Sequence, residues 1–301
     1  MRVLMITGDK DVLKSGTPAF NRVALMREQV DTLEVVYMGR GSVWPSIPRG
    51  SFDVVTSQDP FWRGLYAWRA ARRLKARLNI QVHADLSGQS FVKHIVAQII
   101  LRHADSIRVV SERVRKQVEA IGVKAPISVL PVFVETSRFS SIVFRPHPYK
   151  SIVWIGRFEE EKNPLQAIEI LKEVLKVIPD TRLTMIGEGS YGKKISQSAK
   201  DLPIQIPGWQ SNPEVFLDTA DVVLCTSWHE SWGASIVEAL AAGVPVVAPD
   251  VGVAKEAGAV TAPREKLAEA LIQVLQSGKR GELKINIPSA QEYATLWRKT
   301  L

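Results

Sequence analysis

Short β-branched, apolar runs alternate along this chain with longer stretches of helical periodicity. In the first half the runs are RVLMIT (2–7), LEVVYM (33–38), DVVTS (53–57), NIQVH (79–83), SIRVV (106–110) and ISVLPVF (127–133). In the second they are SIVWIG (151–156), TRLTMIG (181–187), LPIQIP (202–207), DVVLCT (221–226) and VPVVAP (244–249). Near-continuous apolar strands suit a parallel sheet buried on both faces. Thr17-Pro18 and Asn163-Pro164 each place an N-cap residue before a proline at the first helical position. Strand and helix alternate through both halves, which predicts two doubly wound α/β domains. FRPHPYK (144–150) interrupts the pattern as a linker, giving domains at 1–146 and 147–287. The stretch from 288 to 301 predicts a terminal helix that is a candidate to pack back on the first domain.

Composition narrows the class. Of 301 residues, 46% are hydrophobic and 23% charged, a globular balance with no low-complexity tract. No apolar run approaches the ~18 residues of a membrane span. The N-terminal run meets acidic residues at once, unlike a secretory leader, so the expected location is cytoplasmic. The one cysteine, Cys225, forms no intrachain disulfide. Residues 1–150 carry 23 of the 39 basic and 12 of the 31 acidic side chains, so the first half is strongly basic and the second mildly acidic. A positive surface favours nucleic acid, anionic lipid or phosphorylated small molecules.

Ligands of open parallel sheets bind beyond the carboxyl ends of the strands. The candidate loops there are 8–18, 83–91, 156–164, 187–192 and 226–238. In the last, Glu230 precedes Gly233, Ala234 and Ser235, which open a helix carrying Glu238. Exposed N–H groups at such a start attract phosphate, and the glutamates suit hydroxyls on either side of it. As ordinary structure, Glu230 is a solvated loop acid and Glu238 a helix acid favoured by the dipole. Arg157 and Lys162 share one strand-to-helix loop and suit phosphate oxygens, or pair with Glu159–Glu161 at the surface. The segment 61–78 places Leu65, Trp68, Ala71, Leu74 and Leu78 on one helical stripe and Arg69, Arg73 and Arg77 on another. With Arg72, these arginines are candidates for contact with an anionic membrane or an acceptor, against the plain reading of a surface helix.

These motifs together resemble the retaining glycosyltransferases of family 4, which have the GT-B fold: two Rossmann-like domains facing each other across a cleft. The resemblance covers nearly all of 151–280. It rests on Gly156-Arg157 followed by Lys162-Asn163, Ile186-Gly187-Glu188-Gly189, Pro207-Gly208 and Ala220-Asp221. It continues through Ser227 to Glu230-Ser231-Trp232-Gly233, Glu238-Ala239-Leu240 and Ala242-Gly243-Val244-Pro245. The chain departs at VGVAKEAGAVTAP, where the family's glycine-containing loop is shortened. In the first half Ser15-Gly16 stands at the family's glycine-rich loop, and VHADL (82–86) resembles its His-Asp strand end with Ala84 inserted. LPVFVETSRF (130–139) lacks the usual Asn-Gly turn.

The resemblance implies that Arg157 and Lys162 bind the donor diphosphate and stabilise its departure. Glu230 is implied to grip the transferred sugar, with the Ser231, Trp232, Gly233, Ala234 and Ser235 segment near phosphate and sugar. Glu238 is implied to hold the ribose hydroxyls. Gly16 and Gly156 are implied to approach the donor, and Gly208, Trp209 and Gln210 to lie beside its base. His83 either holds the sugar, shuttles a proton or is a hydrogen-bonded structural histidine.

The expected activity is retaining transfer of a sugar from a nucleotide diphosphate sugar to a hydroxyl acceptor, saccharide or lipid-linked. No metal or other cofactor is expected. Peripheral contact with an anionic membrane at its inner face is a candidate; a nucleic-acid partner is not expected, for want of a reading module. The alternative is a GT-B-like protein that holds a nucleotide sugar or a membrane surface without catalysis.

Overall fold

The computed structural model describes residues 1–39, 41 and 44–301, the side chain of Pro18 excepted. Its contacts divide the chain into two compact units, Met1–Phe133 with Pro288–Leu301, and Val134–Ile287.

The first unit contains β1 (Arg2–Thr7), β2 (Thr32–Tyr37), β3 (Val54–Ser57), β4 (Arg77–Val82), β5 (Ser106–Val109) and β6 (Ile127–Val129). They form one parallel sheet in the order β2-β1-β3-β4-β5-β6. β1, β3 and β4 are buried almost throughout, as their unbroken apolar runs require. The terminal helix Ala290–Lys299 packs on this unit, with Trp297 and Tyr293 in one cluster with Val3, Met5, Val23 and Leu130. Full burial of such a side chain contributes about 1.5–3 kcal/mol. Polar ties fix the same helix. Buried Arg108 donates to Tyr293 Oη at 2.7 Å, to Gln81 Oε1 at 2.7 Å and to the Leu130 and Pro131 carbonyls. Asn79 Nδ2 donates to the Thr300 carbonyl at 2.8 Å.

The second unit contains β7 (Lys150–Ile155), β8 (Thr181–Ile186), β9 (Ile204–Gly208), β10 (Val222–Leu224), β11 (Val246–Ala248) and β12 (Val260–Thr261). This sheet is also parallel, in the order β12-β11-β10-β7-β8-β9. Trp154, Ile168, Leu171, Met185, Leu224 and Leu271 lie in its core.

Several expectations change in detail. Residues 134–146, expected in the first domain, pack with the second unit: Arg138 pairs with Glu214 at 2.6 Å and Arg145 with Asp218 at 2.5 Å. Thr17 caps its helix as expected, its hydroxyl accepting from the Phe20 amide at 3.1 Å. Asn163 does not; it lies in the left-handed region (φ 49°) and its amide donates to Gln166 Oε1 at 2.7 Å. The shortened segment after Val251 still orders, as the turn of helix Ala254–Ala257 followed by β12.

The basic helix is shorter than its periodicity implied. It spans Trp62–Leu74 and stops where Lys75 turns left-handed (φ 54°). Arg77 and Leu78 therefore belong to β4, and Arg77 Nη1 donates to the Leu301 carbonyl at 3.1 Å. The buried face is Gly64, Tyr66, Ala67, Ala70 and Ala71; of the expected stripe within the helix only Ala71 is buried, and Leu65, Trp68 and Leu74 are half-buried. Small residues let the helix lie close to its neighbours: a Cβ on Gly64 would stand 2.9 Å from the Asp59 carbonyl oxygen.

Candidate functional site

Strand order predicts where the second unit presents its loops. The chain leaves β7 outward to β8 and β9, then returns to β10 on the other side of β7. Loops after β7 and β10 therefore diverge, and the crevice between them is the position where such sheets take ligands. Residues 156–163 and 225–233 border it.

Lys162 and Glu230, 68 positions apart, meet there as an ion pair through Nζ and Oε1. Their side chains are 19% and 11% exposed, so the charges are largely withdrawn from water. Ser227 Oγ donates to the same Glu230 oxygen at 2.7 Å. The Thr226 hydroxyl braces the opposite wall, within 3.0 Å of the Lys162 carbonyl and 2.9 Å of the Asn163 carbonyl, and accepts from Trp154 Nε1 at 2.9 Å. The Trp228 amide donates to the Glu161 carbonyl at 2.8 Å. Gly252 (φ +53°) backs the loop, where a Cβ would collide with the Trp232 carbonyl and press on Glu230.

Arg157 lies elsewhere on this edge. With Gly156, Gly187, Glu188, Trp209 and Gln210 it lines a cavity of about 240 Å³, which Lys162 and Glu230 do not line. The guanidinium is 63% exposed and pairs with Glu161 at 2.5 Å. Gly187 (φ +145°) makes this cavity possible: its amide donates to the Gly208 carbonyl at 3.0 Å, and a Cβ would strike the Gly156 carbonyl. Glu188 Oε1 accepts weakly from the Trp209 amide at 3.4 Å, and the Trp209 ring is exposed. Arg157 and Lys162 are thus brought to the same edge, each held by a carboxylate, rather than into one cavity.

Gly233 (φ +97°) begins the helix Ala234–Ala241. The Ile236 and Val237 amides donate to the Gly233 carbonyl at 3.0 and 3.2 Å, which leaves the Ala234 and Ser235 amides as the ones with no acceptor inside the helix. Trp232 is buried, with an indole N–H that lacks a partner among the described residues. Ser231 precedes it, half-buried. Glu238 lies inside the helix, and desolvation pushes its carboxyl up to about 7; Arg138 opposes the rise and Glu214 adds to it. No hydrogen bond or ion pair among the described residues joins Glu238 to Glu230.

In the first unit His83 follows β4, with Nε2 3.3 Å from Gln81 Oε1. Burial holds its imidazole well below the usual value, and Arg108 and Arg22 add to the effect. The shift favours the neutral ring, which suits His83 to hydrogen bonding. Asp85, two residues on, is occupied with the Ser87 amide and hydroxyl and with Gln117. Gly16 (φ +82°) lies in an exposed turn with open space where a Cβ would project. Arg69, Arg72 and Arg73 line a cavity of about 500 Å³ with Trp44, Leu65 and Trp68.

Sequence reasoning missed Thr226 and Ser227 as organisers of the crevice. Their partners are 63 to 72 positions away, or three away without regular structure, so no periodicity signals them.

Comparison with known proteins defines first the architecture. The fold matches the apo form of the lipopolysaccharide outer core galactosyltransferase WaaB over 100% of this chain and 99% of that one, at 19% identity and a TM-score of 0.73. It matches HepE from Anabaena, solved with UDP-glucose, over 100% and 95%, at 16% identity and a TM-score of 0.72. The protein thus has the GT-B fold of glycosyltransferases. The profile described as Glycosyl transferases group 1 matches residues 135–287, and that of the Glycosyl transferase 4-like domain matches 15–132. The chain belongs to the group 1 glycosyl transferases.

Among curated relatives, a lipopolysaccharide core biosynthesis glycosyltransferase, LpsE of Rhizobium meliloti, is 29% identical over 48% of this chain and 44% of its own length. The alpha-monoglucosyldiacylglycerol synthase of Streptococcus pneumoniae is 26% identical over 65% of this chain and 51% of its own. The poly(glycerol-phosphate) alpha-glucosyltransferase of Bacillus subtilis is 33% identical over 34% of this chain and 16% of its own. The chain thus spans about half or less of the length of the curated relatives it matches.

Proposed function

We propose that this protein is a retaining glycosyltransferase that moves a sugar from a nucleotide diphosphate sugar to a hydroxyl acceptor. The observation that carries the reading is the Lys162–Glu230 pair in the crevice between β7 and β10, braced by Ser227 and close in sequence to the helix start at Ala234. A diphosphate offers Lys162 a second anionic partner and frees Glu230 to accept from sugar hydroxyls. Arg157, exposed beside the cavity of Gly156 and Trp209, suits the other end of the diphosphate. Glu238, once ionised, suits the two ribose hydroxyls, with the base beside Gly208 and Trp209.

In the proposed reaction the acceptor oxygen bonds to the anomeric carbon on the face the diphosphate leaves. The bond from that carbon to the leaving oxygen breaks, and the acceptor proton passes to a departing phosphate oxygen. Lys162, Arg157 and the helix-start amides take the negative charge that develops, so the reading requires no metal. Removing one preorganised contact of this kind costs about 10²–10³ in rate.

The acceptor side of the reading is a phosphate-bearing or membrane-associated hydroxyl compound. Arg69, Arg72 and Arg73 face outward beside Trp44 and Trp68, and no carboxylate pairs with them among the described residues. The adjoining helix Phe91–Arg102 exposes Phe91, Val92, Ile95 and Ile99. Apolar side chains beside uncompensated arginines fit the surface of an anionic membrane. No helix among the described residues is long and apolar enough to cross one.

Two assays test the reading. A thermal-shift panel over UDP, GDP, ADP and their common sugars finds the donor; at a hundred times its dissociation constant a ligand adds about 2.7 kcal/mol. Transfer to a pooled set of acceptors then separates the enzyme from a scaffold that binds without catalysis. Silence in both, on folded protein, removes the proposal.

A further inference from the structure

Arg264, in the turn Arg264–Lys266 after β12, touches neither the cavity of Arg157 nor the Lys162–Glu230 pair. Its guanidinium nevertheless holds the backbone beneath that pair. Nη1 donates to the Thr226 carbonyl at 2.8 Å and Nη2 to the Ser227 carbonyl. Its Cζ lies over the Trp228 ring, 4.1 Å from the centroid. Its own carbonyl accepts from Gln166 Nε2 at 3.3 Å, and Gln166 Oε1 in turn accepts from Asn163. Three consecutive loop residues are thereby referred to one side chain, and the start of the helix after Lys162 to the carbonyl of the same residue.

We infer that Arg264 is a positioning residue for the transferred sugar, acting through Ser227 on Glu230. The chain of contacts is short. Arg264 fixes the Ser227 carbonyl, the Ser227 hydroxyl fixes Glu230 Oε1, and Glu230 is the group proposed to grip the sugar. On the other wall, Gln166 and Asn163 carry the same constraint to the residue after Lys162. A planar fork donating to two adjacent carbonyls sets both the position and the tilt of the loop, which a lysine cannot reproduce with a single point of attachment. The Trp228 ring shields these charge-assisted bonds from water on one side. This inference rests on the proposed donor site and adds a residue the family motifs quoted above do not include.

The predicted signature is selective. Base, ribose and diphosphate contacts are assigned to Gly208, Glu238, Arg157 and Lys162, none of which Arg264 touches. The sugar's grip depends directly on Ser227 and Glu230, whereas Lys162 meets the same loop through its pair with Glu230 and its backbone contact with Thr226 and keeps its own charge for the diphosphate. Arg264→Ala is therefore expected to leave affinity for the free nucleotide diphosphate within about twofold of the parent. Affinity for the nucleotide sugar falls about tenfold, and kcat falls by up to about 10²-fold, the scale of a misplacement remote from the reacting atoms. Arg264→Lys recovers part of the loss, and Trp228→Leu shifts the same ratio by a smaller factor.

Isothermal titration of each nucleotide diphosphate and its sugar into parent and variants, with kcat and KM on the same samples, provides the test. A lost preference for the sugar form over the bare nucleotide in Arg264→Ala, partly restored in Arg264→Lys, supports the inference. An unchanged preference with unchanged kcat overturns it. So does a parallel loss of both affinities with a lowered melting temperature, which marks Arg264 as a staple of the fold alone. Failure of the parent to bind any nucleotide diphosphate removes the donor-site reading itself, and this inference with it.

Discussion

The two units apply one architecture to two different crevices. In the second, the sheet changes direction between β7 and β10, and the crevice holds a lysine–glutamate pair braced by hydroxyls. In the first, the order β2-β1-β3 puts the equivalent change between β1 and β3. There Arg63 donates to the Met38 carbonyl at 2.8 Å and pairs with Asp59 at 2.6 Å, and its guanidinium occupies the space a Cβ on Gly8 would need. The first crevice is filled by its own side chain. The second presents a cation whose carboxylate partner a ligand can relieve. Their surfaces differ as well: the first unit carries the basic excess, concentrated on the helix Trp62–Leu74. A shared fold positions the loops, and the few residues at the switch point decide whether they bind or merely pack.

The sharpest way to break this contrast is Lys162→Ala. Turnover is expected to fall by about 10²–10³, well beyond what the roughly 1–3 kcal/mol of stability lost with Glu230's partner would cause in a folded sample, measured by steady-state transfer and unfolding on the same preparation. A variant as active as the parent ends the comparison. Arg63→Ala is expected to cost stability in the same way but to spare activity. It strips a partner from the half-buried Asp59 and the Met38 carbonyl, at a cost of about 1–3 kcal/mol in unfolding free energy, while nucleotide affinity stays within about twofold. Loss of nucleotide binding without loss of stability would place a ligand site in the first crevice instead.

The surface contrast is tested by the double variant Arg69→Ala, Arg73→Ala. Sedimentation with phosphatidylglycerol vesicles is expected to weaken by about 1 kcal/mol per arginine, with no binding to phosphatidylcholine in either protein; an unaltered partition excludes these arginines from the contact.

The smallest effect concerns Glu238, whose carboxyl titrates at about 7 in the folded chain against an ordinary 4.5. Between those values the folded state binds more protons than the unfolded one, so this group's contribution to stability falls as pH rises from 4.5 through 7. Ionisation in turn supplies the acceptor for ribose hydroxyls. Nucleotide affinity is therefore expected to rise about three- to tenfold on passing upward through pH 7, at about 0.5–1.5 kcal/mol per hydrogen bond. Glu238→Gln should flatten both trends; an identical profile in that variant assigns the titration to another group.

How far the sequence spoke depends on which physical signal was needed. The central strands carry dense apolar runs because they are buried, and the partly exposed edge strands β2, β6 and β9 still carry β-branched ones, so β1 through β11 are all legible, whereas two-residue β12 is too short to announce itself. The arginines at 69, 73 and 77 kept a helical spacing across a turn that only the left-handed backbone at Lys75 reveals, so Arg77 was misplaced onto the helix. Leu65 and Trp68 looked like a core stripe because they are large; the alanines that lie against the sheet carry little hydrophobic signal of their own. Lys162 and Glu230 were both named, but their meeting reflects strand order, which no local pattern encodes. Ser227, Arg264 and Arg63 act through loop contacts, several of them with carbonyls 25 to 38 positions away, and composition and spacing are silent about those.

The central claim is that the crevice between β7 and β10 receives the donor diphosphate. A crystal structure with the best-binding nucleotide diphosphate sugar tests it most directly. The account predicts phosphate oxygens within hydrogen-bond distance of Lys162 Nζ and sugar hydroxyls against Glu230. A nucleotide seated elsewhere, with the Lys162–Glu230 pair intact beneath empty solvent, would contradict it.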